Sequence, residues 1–88
     1  MPEGVGAQAK NALATIDKAL REAGASIEDT VRVVYYVGDA SYVDEVVEAV
    51  GAVFKDIRPA ASMLIVKMIE EAMKIEIEVT ARIGASKS

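Results

Sequence analysis

Met73-Lys74-Ile75-Glu76-Ile77-Glu78-Val79-Thr80-Ala81-Arg82-Ile83 alternates apolar and polar side chains without a break. Successive strand residues point to opposite faces, so Ile75, Ile77 and Val79 share one face and Glu76, Glu78 and Thr80 the other. The stretch predicts a strand with one face in a core and the other carrying carboxylates. Upstream, Ser62 to Met68 is apolar on both faces, with Met63 and Ile65 opposite Leu64, Val66 and Met68, and predicts a strand buried on both sides. Ile69 to Ala72 links the two. Val31-Arg32-Val33-Val34-Tyr35-Tyr36-Val37 is β-branched and aromatic, and predicts a third strand.

Helical spacing fills the rest. Between Val5 and Ala23, Ala9, Ala12, Leu13, Ile16, Ala19, Leu20 and Ala23 recur at intervals of three and four, and Gly24 is placed to end that helix. Ser26-Ile27-Glu28-Asp29 reads as a polar turn. Asp39 or Ser41 caps a second helix, whose apolar stripe is Val43, Val46, Val47, Val50, Val53 and Phe54. The Arg58-Pro59 step ends it, because proline disfavours the helical conformation in the residue before it. The pattern is therefore helix–strand–helix–strand–strand. It predicts an α/β (α+β) chain with two helices on one face of a mixed sheet, a single domain over 1–88 with 84–88 as a disordered tail.

Composition narrows the chemistry. The 88 residues include no cysteine and no histidine, which excludes disulfide scaffolds, thiol nucleophiles, Cys/His zinc clusters and Ser-His-Asp triads. Proton transfer would fall to carboxylates, lysine, tyrosine, hydroxyls or water. A net charge of −4 with no basic cluster argues against a nucleic-acid partner. Charges interrupt every apolar run before about 18 residues, so no membrane-spanning segment is expected, and the absence of cysteine fits a cytoplasmic location. At 52% hydrophobic residues, the chain has more apolar surface than so small a core hides, which predicts self-association.

Several segments resemble one family in order and spacing. Ala7-Gln8-Ala9-Lys10-Asn11-Ala12-Leu13, Ala23-Gly24-Ala25-Ser26-Ile27-Glu28-Asp29 and the strand from Val31 to Val37 followed by Gly38-Asp39 are similar to the first half of YjgF/RidA proteins. Arg58-Pro59-Ala60-Ala61-Ser62 resembles their Arg-Pro-Ala-Arg-Ser segment, and Lys74-Ile75-Glu76-Ile77-Glu78 their closing strand. The resemblance implies a chorismate-mutase-like fold assembled as a homotrimer, with clefts between subunits that need no metal and no organic cofactor. It also implies a reaction, the hydrolysis of reactive enamines and imines of the 2-aminoacrylate type to 2-ketoacids and ammonia.

Two departures bear on that expectation. Family members begin with strands ahead of the first helix, one carrying an aromatic residue that lines the site, so the chain reads as an N-terminally truncated member. The arginine that clamps the substrate carboxylate aligns with Ala61, which supplies none of the bidentate contact. The expected function is an oligomer with a degenerate intersubunit site that binds a small carboxylate-bearing metabolite. The alternative is a working imine deaminase.

In both readings Glu76 aligns with the family's water-positioning glutamate, and Arg58, Ala61 and Ser62 form the substrate-binding segment. Each has a plainer reading. Glu76 sits on the polar side of an alternating strand, Ser62 starts a strand, and Arg58 aligns with a structural position. Tyr35 and Tyr36 occupy opposite faces of one strand, and Glu70-Glu71 reads as a solvated turn rather than a paired-carboxylate site.

Overall fold

A computed structural model of the chain describes residues 4–70 and 72–84. Helix α1 (Val5–Glu22) leads through a one-turn 3-10 helix (Ile27–Asp29) into strand β1 (Thr30–Val37). A second such turn (Ala40–Tyr42) precedes helix α2 (Val43–Phe54), strand β2 (Ala60–Ile65) and strand β3 (Ile75–Ala81). The sheet order is β2-β1-β3, parallel between β1 and β2 and antiparallel between β1 and β3. It is the two-helix mixed sheet read from the pattern. Of the expected tail at 84–88, residues 85–88 lie outside the described residues, as does Glu71.

Local chemistry sets the boundaries. Gly24 takes φ +89°, and the bonds Ala25 N–H to Leu20 O (2.8 Å) and Gly24 N–H to Arg21 O (3.2 Å) close α1 in a Schellman motif. Only glycine reaches that φ without a Cβ clash. In the following turn the backbone N–H of Ser26 donates to the Asp29 carboxylate at 3.1 Å, half of a capping box. Asp39 accepts from Ser41 N–H at 2.8 Å, so it caps the turn before α2 rather than α2 itself.

The N-terminus of α1 is capped across the fold. Gly6 N–H donates to the Glu45 carboxylate on α2, placing a negative charge at the positive end of the α1 dipole. A Cβ at position 6 would come within 2.9 Å of that oxygen, so a larger residue there would push the Glu45 side chain aside. Gln8, next along α1, is buried. Its side-chain amide donates to Ala72 O and accepts from Lys74 N–H, both at 2.8 Å, and so fixes the link into β3 to the helix.

Val5, Ala9 and Leu13 of α1 and Val46, Ala49, Val50 and Phe54 of α2 pack on Val33, Tyr35, Val37 and Ile75. Ile77 and Val79 join them from the edge. The alternation of β3 thus faces the helices as its sequence predicts. Ala19 and Ala23, expected on the buried stripe of α1, are exposed.

The β2 segment departs from expectation. The strand runs from Ala60 to Ile65, starting two residues before the apolar run and ending three residues before its end, and Leu64 and Ile65 are 48% and 52% exposed. A strand at a sheet edge has one neighbour, and two helices cannot also cover its outer face. Both faces of β2 are apolar, yet this chain buries neither fully.

Gly51 is an exposed position inside α2, and a Cβ there would meet no atom within 4 Å. Glycine in a helix costs roughly 0.5–1 kcal/mol relative to alanine. Gly51→Ala should raise the thermal midpoint by several degrees. A lower midpoint would mean that a surface outside this chain packs on α2.

Candidate functional site

The residues singled out from sequence fall in two grooves. The first, about 690 Å³, lies between α1 and the β3 edge, where Asn11, Ile16, Tyr36, Met68, Met73 and Glu76 contribute to its wall. Its surface is mainly apolar, with Glu76 among the polar groups at the margin. The second, about 370 Å³, runs between α2 and β2 and is lined by Val47, Val50, Phe54, Arg58, Ala61 and Ser62 among others.

Strand register places these groups relative to one another. On the sheet face away from the helices, Leu64, Tyr36 and Glu76 lie side by side across the three strands, and Ser62, Val34 and Glu78 form the next row. Ser62 and Glu76 therefore share a face but stand two strand spacings apart, about 9–10 Å, and one row out of line. Ala61 pairs with Val33 and points to the helix side. A single chain does not bring Glu76 together with the Arg58–Ser62 segment.

Arg58 has a conformation of its own. Its φ is +52°, the left-handed region, in a residue that precedes proline. Its N–H donates to Phe54 O at 3.0 Å, so the strained residue closes the C-terminus of α2. Such a backbone costs a non-glycine residue about 1–2 kcal/mol. The plainer reading of Arg58, a structural position, accounts for its backbone and leaves the exposed guanidinium unassigned.

The tyrosines divide as their strand positions require. Tyr36 lies on the open face, and its hydroxyl donates to Glu78 Oε2 at 3.2 Å. That hydrogen bond, and the negative charge behind it, raise the Tyr36 pKa. Tyr36 is also the direct cross-strand neighbour of Glu76. Sequence alone did not link the two, because strand periodicity does not reveal which residues lie opposite. Tyr35 is buried on the helix side, and desolvation pushes its phenol up to about 12.

Among the described residues no three Asp or Glu side chains converge in a way that would hold a metal ion, and no helix is long and apolar enough to cross a membrane.

The helix-backed mixed sheet with grooves on either side of its central strand defines a class, and comparison with known proteins identifies it. The family described as Endoribonuclease L-PSP matches residues 1–83, and the chain belongs to this YjgF family. Rv2704 of Mycobacterium tuberculosis, a YjgF/YER057c/UK114 family member, is 38% identical with a TM-score of 0.90 over 94% of this chain and 71% of its own. NMB1025 of Neisseria meningitidis, a YjgF family protein, is 25% identical with a TM-score of 0.89 over 94% of this chain and 71% of its own. Yeast Mmf1, at 20% identity, shares the fold with a TM-score of 0.88 over 94% of this chain and 66% of its own. No curated protein matches the chain.

The Tyr35 environment has a measurable consequence. A phenol whose pKa is raised on folding contributes stability that is complete below its unfolded value near 10, and that contribution is lost as pH rises toward 12. Alkaline absorbance titration should show one tyrosine ionising last, together with loss of the fold. Tyr35→Phe should remove that last-ionising tyrosine, and its persistence in the variant would contradict the assignment.

Proposed function

We propose that the protein acts as a homo-oligomer, a trimer as in the family it resembles, and binds a small carboxylate-bearing metabolite in clefts between copies without turning it over. The observation that carries this reading is the separation of Glu76 from Arg58, Ala61 and Ser62 into different grooves of one chain. A cleft that uses both groups needs a second copy to close it. The exposed Leu64 and Ile65 supply apolar surface for that contact, and the 53% exposed Val47 adds to it from α2. Ala61 is the reason to favour binding over catalysis. It offers a methyl group where a guanidinium would fix the substrate carboxylate, so substrate orientation, and with it much of the rate, is lost.

A second reading, hydrolysis of enamines or imines of the 2-aminoacrylate type to 2-ketoacids and ammonia, draws on one feature. Glu76 is exposed beside the Tyr36 ring, where a carboxylate can hold and orient a water molecule. Arg58, whose guanidinium borders the groove of Ala61 and Ser62, would replace the absent carboxylate clamp. Ribonuclease chemistry fits less well, since the chain has no histidine and a net charge of −4 repels RNA. A cytoplasmic location accords with the absence of cysteine.

Light scattering behind a sizing column tests the assembly, with three times the 9.3 kDa chain mass expected. A monomer at micromolar concentration overturns the intersubunit reading. Ala61→Arg should tighten binding of 2-oxobutanoate by about tenfold or more, the value of one charge-assisted bidentate contact. No gain would show that the cleft has lost more than this arginine. Turnover of 2-aminoacrylate by the unmodified protein, abolished in Glu76→Gln, would favour the second reading over the first.

A further inference from the structure

A third cleft, about 760 Å³, opens at the end of the sheet where β1 begins, away from Glu76, Ala61 and Ser62. Its surface is mainly polar. Four charged residues line it: Glu28 from the turn before β1, Asp56 and Arg58 from the α2–β2 loop, and Arg82 after β3. A backbone bond from Arg82 N–H to Asp29 O, at 3.0 Å, holds the end of β3 against the turn that carries Glu28. The apolar side chains of Val31 and Ile57 lie among these groups, and Val31 is 39% exposed.

These charges do not neutralise one another directly. The ion pair found among the described residues joins Arg21 to Asp17, and none there involves Glu28, Asp56, Arg58 or Arg82. Two arginines and two acidic residues thus line one cleft with no ion pair among them in the described residues. Arg58 reaches it from a left-handed backbone that glycine would adopt more cheaply.

We propose that this cleft binds a free α-amino acid with an apolar side chain. The ligand's carboxylate meets Arg58 and Arg82, its ammonium meets Glu28 or Asp56, and its side chain covers Val31 and Ile57. The mixed lining selects against single-sign ligands. A bare anion would face two carboxylates, and a bare cation two guanidiniums. Only a compound carrying both charges a few ångströms apart finds a partner for each. The site lies within one chain; it shares Arg58 with the cleft proposed above but not Glu76, Ala61 or Ser62.

Calorimetric titration of the protein with L-leucine tests the proposal, with N-acetyl-L-leucine and L-leucinamide as ligands lacking one charge each. Saturable binding of leucine at millimolar concentration or below is expected, weakened about tenfold or more by either modification. Arg82→Gln and Asp56→Asn, both at exposed positions, should weaken leucine binding to a similar extent while leaving the circular dichroism spectrum unchanged. The absence of saturable leucine binding overturns the proposal, as does binding of the acetylated or amidated compound as tight as that of leucine. Binding insensitive to both substitutions, or abolished by Glu76→Gln, would place the ligand elsewhere and equally overturn it.

Discussion

Both hydrogen-bonded ladders of the sheet run through β1, which pairs in parallel with β2 on one side and antiparallel with β3 on the other. A strand in that position has no free edge, so its residues must satisfy two neighbours and a helical layer together. Val33 and Val37 are fully buried, and Val34 is buried even on the face the helices leave open. β-Branched residues suit this role because their restricted side chains lose little freedom on a pleated, crowded surface. Substitutions in β1 would disturb β2 and β3 at once, and with them every groove the chain forms.

The outer strands carry the consequences. β3 tolerates alternation because its polar face is open, and α1 is anchored near its start through Gln8. β2 has apolar residues on both faces and no comparable cover among the described residues. The asymmetry leaves β2 with exposed apolar side chains where β3 shows carboxylates on its open face. It also explains why the groups with recognisable chemistry are divided between two sides of the sheet, since each outer strand carries part of the set.

Much of the architecture was legible because it follows from periodicity. The alternation from Met73 to Ile83 announces a one-sided strand, and Gly24 announces the end of α1. Less legible were features that depend on which elements become neighbours. Glu45 stands in the first turn of its own helix, α2, yet its carboxylate accepts from the start of the other. Gln8 reads as a polar residue on an amphipathic helix and proves to be buried, because its amide supplies what a neighbouring backbone would otherwise provide. For the site, the residue types at Glu76, Arg58, Ala61 and Ser62 are visible in the sequence. Their separation is not, since it follows from the β2-β1-β3 order, which places β1 between them. Tyr36 as the neighbour of Glu76 is a product of register, which no single strand encodes.

The contact between Gly6 and Glu45 constrains how the sequence can drift. Two positions 39 residues apart are tied by one bond, and a side chain in place of the glycine would crowd that carboxylate. A larger residue at position 6 would displace the carboxylate from the Gly6 N–H, and loss of the acid would leave that N–H without its acceptor while relieving the crowding at position 6. The two positions are therefore coupled through one contact. That coupling would persist as a signature of the helix pairing even where surface residues on both helices have diverged beyond recognition.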